Sequence, residues 1–265
     1  MLQFFLSLPA PVAVLMMCTF VFVRYLTLAA LFMSVVWGPL ADRFAGRRLC
    51  RPGIPWRDIR REMGWSGSSA VVFGAFGYLT QIMGTSGWNA IYPDFSRYPT
   101  WVWWAAVVAA LFCQDFWFYA THRLMHHRKI FPWMHAVHHR SVNPTPFAAI
   151  AFHPTEAVVQ VAFFTLISAI LPFNMVTLGA LHLMVLLLNL IGHLGFDLFP
   201  SWWLEAPLVH WWNPTTHHHM HHQHPNRNFG LYFNFWDRAF GTNHPDWERR
   251  FRERTQIRHA VASHA

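Results

Sequence analysis

Charged side chains are scarce in this sequence: Asp, Glu, Lys and Arg make up 12% of its 265 residues, against 54% hydrophobic residues. That balance is unusual for a soluble enzyme of this length. Cys18, Cys50 and Cys113 are scattered, so no disulfide framework is expected and no thiolate is needed as a metal ligand. A hydrolase triad arrangement, a phosphate-binding glycine loop and a nicotinamide-binding fingerprint are also missing. The sequence therefore does not indicate a nicotinamide-dependent enzyme, and any electrons that a reaction needs would come from a separate carrier.

The apolar residues are concentrated in runs long enough to cross a bilayer, which requires about 20 residues per helix. The first run is broken only by Arg24, and the last two form a helical hairpin that turns at residues 171–174. We predict an all-α integral membrane bundle, with about four transmembrane helices or three plus a helical hairpin, under a histidine-rich cytoplasmic cap. The predicted runs are 11–40, 66–87, 99–121, 157–171 and 175–195.

The basic residues predict the orientation of this bundle. If the N-terminus lies outside, 18 of the 20 Lys and Arg residues fall on one side of the membrane, and only Arg24 and Arg97 do not. This is the positive-inside pattern. The net charge of +8 is then explained by topology and by anionic lipid headgroups, so no nucleic acid partner is expected.

Histidine is abundant and clustered: twelve of 19 histidines fall in two short windows. On a helix, residues at i, i+3 and i+4 share one face, so each cluster can direct its imidazoles toward one point. Eight nitrogen ligands exceed the needs of one zinc site and suit two metal ions. The clusters are His122 and His126, then His135, His138 and His139, then His218, His221 and His222.

An all-imidazole centre without cysteine suits iron, zinc or copper. At a membrane surface, such a pair of metal ions is suited to activating dioxygen against a C–H bond. The alternative from another class is a histidine-rich membrane metal transporter or metal sensor. That alternative requires polar residues along an ion path, and the predicted helices carry almost none.

Residues 115–242 resemble the fatty acid hydroxylase and sterol desaturase superfamily, most of all its sterol C5-desaturase branch. The ordered combination of motifs is specific, whereas any one of them alone is weak. It comprises Asp115, Tyr119–Arg123, His126, His135–His139, Thr145–Phe147, Phe152–Pro154, His193, His218–His222, Asn228–Gly230 and Trp236–Thr242.

This resemblance implies a diiron enzyme that uses dioxygen and two electrons on a membrane lipid, sterol-like, carotenoid or acyl. Zinc can substitute for iron, and the electrons would come from a cytochrome b5-like protein, a ferredoxin or a reductase. No residue distinguishes hydroxylation from desaturation. The ligands that the resemblance implies are His122, His126, His135, His138, His139, His193, His218, His221 and His222.

Three aspartates are candidate catalytic residues because a metal-bound imidazole usually donates its other N–H to a carboxylate or carbonyl. Asp115 lies two helical turns before His122, on the same face, and Asp237 lies in the last family motif. A salt bridge to a nearby arginine is the alternative for both. Asp197 follows His193 by one turn, where a related branch has a histidine, and is either a ligand or a partner of one.

We expect one domain over 1–265: transmembrane helices in 1–98, the catalytic histidine-box region in 99–242 and a basic tail in 243–265. The bacterial inner membrane and the endoplasmic reticulum are both consistent with this composition, with the active site on the cytoplasmic side and the N-terminus outside or lumenal.

Epitope tags test this topology. Tags inserted in 42–62, in 123–140 and at the C-terminus should all report the cytoplasmic side, and a tag in 88–98 the opposite side, because basic loops remain cytoplasmic. Protease protection or impermeant labelling measures the side. A tag near residue 130 on the outer side would contradict a shared site, since the histidine clusters would then be separated by the membrane.

Overall fold

The computed structural model describes residues 8–262, with side chains described as far as residue 256. This part of the chain is all-helical, as predicted, and contains no β-strand. Short 3-10 turns cover Ala45–Arg47, Pro146–Ala148 and Ser201–Leu204. The helices are α1 Ala10–Val36, α2 Trp56–Thr85, α3 Thr100–Met125, α4 Phe131–Met134, α5 Ala136–His139, α6 Pro154–Ile170, α7 Met175–Gly192, α8 Thr215–Gln223, α9 Phe235–Ala239 and α10 Trp247–Ala262.

Within the described residues, three helices are long and apolar enough to cross a membrane: α1, α3 and α7. They correspond to the predicted runs 11–40, 99–121 and 175–195. The run 66–87 belongs to α2, which begins earlier with a charged segment and is not one of the three. Helix α6 is apolar but has only 17 residues, which agrees with the predicted short arm of the hairpin.

The hairpin between α6 and α7 is defined by local capping. His153 accepts a hydrogen bond from the backbone N–H of Thr155, and Pro154 opens α6 as its first residue. Asn174 and Thr177 form a reciprocal capping box at the start of α7. Proline and an Asn cap are favourable helix starts because the first backbone N–H groups lack partners within the helix. The chain therefore turns where the sequence predicts it.

Helices α1 and α2 pack closely through glycine. A Cβ atom added to Gly74 would lie 2.5 Å from the backbone nitrogen of Cys18 in α1. Gly67 and Gly77 also face α1, toward Phe22 and Met17. Small residues allow this approach in a membrane, where helix association depends on packing rather than on the exclusion of water.

The chain between α5 and α6 is irregular and almost entirely buried over residues 145–152. Buried main-chain groups need hydrogen-bond partners, and here the long helices supply them. Tyr25 and Ser66 both donate to the carbonyl of Phe147, at 2.6 and 3.1 Å. Asn189 donates to another carbonyl of this segment at 2.7 Å. The segment is thereby held against α1, α2 and α7.

The ends of three long helices meet on one side of the bundle. Trp37, directly after α1, donates to the carbonyl of Leu194, just beyond α7, at 2.9 Å. At the end of α3, His122 lies 3.0 Å from His135. His193, directly after α7, lies 3.3 Å from His138 of the same cluster. The cluster at His135–His139 therefore contacts the ends of both α3 and α7.

Alanine at Gly74 tests the close approach of α1 and α2. Gly74→Ala should lower the thermal stability of the detergent-solubilised protein, because overpacking costs about 1–3 kcal/mol. Gly64→Ala in the same helix is the matched control, since its Cβ would meet nothing within 4 Å. The control should be neutral or gain up to about 1 kcal/mol from helix propensity. Equal stability of the two variants would contradict this packing.

Candidate metal centre

All nine histidines implied as ligands come together, in two groups. The first group contains five of them and the second contains four. Within each group, one ring nitrogen from every histidine lies within 4.8 Å of the others. The first group is His122, His126, His135, His139 and His221, and the second is His138, His193, His218 and His222.

The five-histidine group forms around Nε2 atoms from four structural elements. Nε2 of His122 lies 3.0 Å from Nε2 of His135 and 3.3 Å from that of His126. Nε2 of His221 lies 3.0 Å from Nε2 of His139. These nitrogens all point inward, which is the arrangement that a coordinated metal ion requires.

The four-histidine group is equally close. Nε2 of His193 lies 3.1 Å from that of His218 and 3.3 Å from those of His138 and His222. His193, which spacing alone did not identify, is central to this group. His193 directly follows Gly192, the last residue of α7, so the end of this helix positions its ring within the group.

Each H-x-x-H-H cluster serves both groups, whereas its spacing suggested a single focus. His218 and His222 enter the second group, while His221 enters the first. His135 and His139 similarly share the first group and leave His138 to the second. At about 100° per residue, positions i and i+4 differ by only about 40°, while i+3 lies about 60° to the other side. The repeated motif therefore bridges two adjacent sites.

The remaining ring nitrogens orient several of these histidines. Nδ1 donates to a main-chain carbonyl in three cases, which leaves Nε2 free as the ligand atom. The pairs are His122 with Phe229 at 2.7 Å, His221 with Arg227 at 2.7 Å, and His193 with Asn189 at 2.8 Å.

A glutamate contacts a fourth imidazole, and sequence reasoning missed it. Oε1 of Glu156 lies 2.8 Å from Nδ1 of His135, and both side chains are almost fully buried. Glu156 lies in the first turn of α6, where an acidic residue ordinarily stabilises the helix end. Its only sequence signal is a carboxylate at the edge of an apolar run. Its contact with His135 depends on how α6 packs.

Burial favours neutral imidazoles in this centre. Desolvation lowers the pKa of His139, His218, His221 and His222 well below the ordinary value, and neighbouring imidazoles lower it further. Neutral imidazole is the form that binds a metal ion. The donor set therefore fits two nitrogen-ligated metal ions.

Asp237 stabilises the loop that orients His122. Its two carboxylate oxygens accept the backbone N–H groups of Phe229 at 2.9 Å and Gly230 at 2.7 Å. The carbonyl of Phe229 in turn accepts from His122. Asp237 forms no ion pair with its neighbour Arg238, which pairs instead with Glu248 at 2.7 Å. Asp237 thus acts on His122 indirectly: it binds the N–H of Phe229, and the carbonyl of the same residue binds the imidazole.

Asp115 and Asp197 also contact the supporting backbone, and neither is a member of the two groups. Oδ1 of Asp115 accepts from the backbone N–H of Phe233 at 3.2 Å. Oδ2 of Asp197 accepts from the N–H of Thr216 at 3.0 Å and from its hydroxyl at 2.6 Å. Asp197 thereby caps α8, the helix that carries the third histidine cluster.

Other histidines near the clusters lie outside both groups. His217 is buried and contacts Asn243 at 3.0 Å. His219 contacts Gln223 at 3.1 Å. His127 and His224 are exposed, and His153 caps α6.

Comparison with known proteins agrees with this arrangement. The fatty acid hydroxylase profile matches residues 107–242, about half of the chain. The protein therefore belongs to the fatty acid hydroxylase family.

Curated relatives include mouse lathosterol oxidase, 32% identical over 162 residues, or 60% of this chain and 52% of that protein. A Delta(7)-sterol 5(6)-desaturase of Gibberella zeae is 31% identical over 158 residues, or 59% of this chain and 47% of that protein. Chicken methylsterol monooxygenase 1 is 28% identical over 232 residues, 80% of this chain and 77% of that protein. The match spans about half the length of the first two relatives. No solved structure matches this chain.

Replacing Glu156 tests its contact with His135. Glu156→Gln should weaken metal binding about 10–100-fold, the usual cost of losing a carboxylate partner of a ligating histidine. Competition with a chelator measures the affinity. Glu62→Gln is the matched control, because Glu62 is equally buried but contacts Thr145 at 2.5 Å. Equal losses of metal affinity in both variants would mean that replacing any buried carboxylate has this effect, and that the contact of Glu156 with His135 is not its cause.

Proposed function

We propose that this protein is a membrane-embedded, O2-dependent oxidoreductase that hydroxylates or desaturates a C–H bond of a membrane lipid. The observation that carries the proposal is the pair of all-histidine groups at one end of a bundle of membrane-type helices. The relatives support a sterol-like lipid as the substrate class, since their names denote oxidation of sterols. Carotenoids and acyl lipids share the necessary unactivated C–H bonds.

Two iron ions are the proposed cofactor, and zinc can occupy the same nitrogen ligands. The five-histidine group would hold one ion and the four-histidine group the other. When bound, the iron pair supplies the activation of dioxygen. Asp237, Asp115 and Asp197 are proposed to maintain the ligand geometry through the backbone contacts described above.

The chain itself shields this centre from water with apolar rings. The ring centroid of Phe118 lies 4.9 Å from that of His122, and Phe152 lies 5.1 Å from His138. Phe229 lies 5.8 Å from His221. These contacts place apolar rings beside the imidazoles, which suits chemistry on a hydrocarbon and suppresses side reactions with water.

The proposed orientation places the histidine groups at the cytoplasmic side of a bacterial inner membrane or of the endoplasmic reticulum, with the N-terminus outside or lumenal. The distribution of basic residues supports it, because 18 of 20 follow the cytoplasmic ends of the predicted helices. We further propose a single domain, with membrane helices in 1–98, the catalytic region in 99–242 and a basic tail in 243–265.

Electrons are proposed to come from a separate protein, either cytochrome b5-like, a ferredoxin or a reductase. The absence of a nicotinamide-binding fingerprint in the sequence supports an external source.

Lipid analysis tests the function. Lipids from cells that express the protein should contain a product with one added oxygen atom or two fewer hydrogen atoms, detected by untargeted mass spectrometry.

The purified protein should carry about two metal ions per chain. His221→Ala should abolish the product and lower metal content, because it opens the coordination of the first ion.

His224→Ala is the control, because this exposed residue belongs to neither group. It should leave product and metal content nearly unchanged. A fully active His221→Ala enzyme with normal metal content would exclude the third cluster as a ligand source and refute the proposed function.

A further inference from the structure

The two histidine groups differ in their access to solvent. All four members of the second group are buried, and none has more than 3% of its surface exposed. In the first group, His126 is only partly buried. The five-histidine group is therefore the one that approaches the molecular surface.

The ring of Phe131 lies against this approach. The ring centroid of Phe131 lies 5.3 Å from that of His126, 5.5 Å from His139 and 6.1 Å from His135. Phe131 is itself only partly buried. A molecule seated on this ring is thus separated from three ligand imidazoles by one side chain.

The surface around Phe131 is basic. Arg128 and Lys129 are exposed, and neither forms an ion pair among the described residues. The sequence contains no Asp or Glu between Asp115 and Glu156, so this segment does not neutralise its own charge. Trp133 is 56% exposed beside these cations. We call residues 123–133 the Phe131 face.

We propose that the Phe131 face is the docking surface for an acidic electron-transfer protein, and that electrons enter the centre through the five-histidine group. This inference rests on the proposed function. Hydroxylation consumes O2, two electrons and two protons to form the alcohol and one water. Desaturation consumes the same reactants, removes two hydrogen atoms from the lipid and releases two waters. The two electrons come from the carrier, one at a time for a haem or [2Fe–2S] protein.

Charge complementarity favours an acidic protein as the occupant. Opposite charges around a small contact accelerate the encounter of redox partners, which characteristically bury little surface. Anionic lipid headgroups would satisfy the same cations, but they would not use the partly buried His126.

A charge-reversal pair tests the proposal. Arg128→Glu/Lys129→Glu is compared with Arg57→Glu/Arg60→Glu, a control with the same charge change at exposed positions of α2. Full-length, metal-loaded proteins are placed in nanodiscs of neutral phosphatidylcholine, with a parallel set of discs that contain phosphatidylserine. The probes are the reduced soluble haem domain of a cytochrome b5 and a plant-type ferredoxin, both acidic. Biolayer interferometry measures the affinity, and stopped-flow absorbance measures oxidation of each probe.

The Phe131-face pair should weaken binding of at least one probe roughly tenfold and reduce the dependence of binding on salt, whereas the control pair should not. The ratio of probe-driven to dithionite-driven turnover should fall in parallel. Equal losses in both pairs, or no binding of either probe to the wild type, would overturn the docking surface. A loss seen only in discs that contain phosphatidylserine would instead assign these cations to lipid headgroups.

The proposed function fails separately. Lipid product formed with dithionite in the wild type would leave it intact even when neither probe binds. No product with any reductant, in protein that carries both metal ions, would refute the function and, with it, the electron-entry role of the Phe131 face.

Discussion

The convergence of nine imidazoles is the constraint on which the rest of this structure depends. Their ring nitrogens approach to 3.0–3.3 Å, a spacing that protonated rings would make strongly repulsive. Burial keeps the rings neutral, and the outward nitrogens of His122, His193 and His221 donate to carbonyls that hold them in register. The segments that contact these three rings must therefore present a carbonyl at a defined position.

The bundle of long helices supplies this precision. Residues 145–152 contain only a short 3-10 turn but are stabilised by hydrogen bonds from Tyr25, Ser66 and Asn189. This segment joins the second histidine cluster to Glu156, so anchoring it also positions the carboxylate beside His135. Helix packing at Gly74 thus supports the site indirectly, because it brings α1 and α2 together around that segment.

The two histidine groups lie close together because each H-x-x-H-H cluster contributes residues to both of them. His138 and His139 are consecutive in the chain, yet they belong to different groups, and His221 and His222 repeat this division. Two ions held in this way would each draw ligands from the short helices α5 and α8. Their environments nevertheless differ: one group is sealed inside the protein, and the other lies beneath Phe131 near a basic surface.

The sequence by itself determined the all-α class, the apolar helices, the hairpin turn at 171–174 and eight of the nine histidines of the two groups, because these follow from periodicity and local spacing. The family motifs added His193. Only the tertiary structure decided that each H-x-x-H-H cluster divides between two groups, that Glu156 contacts His135, and that Asp197 caps α8. Those facts depend on the relative placement of segments distant in the chain, and a hydrogen bond between such segments leaves no periodic trace in the sequence.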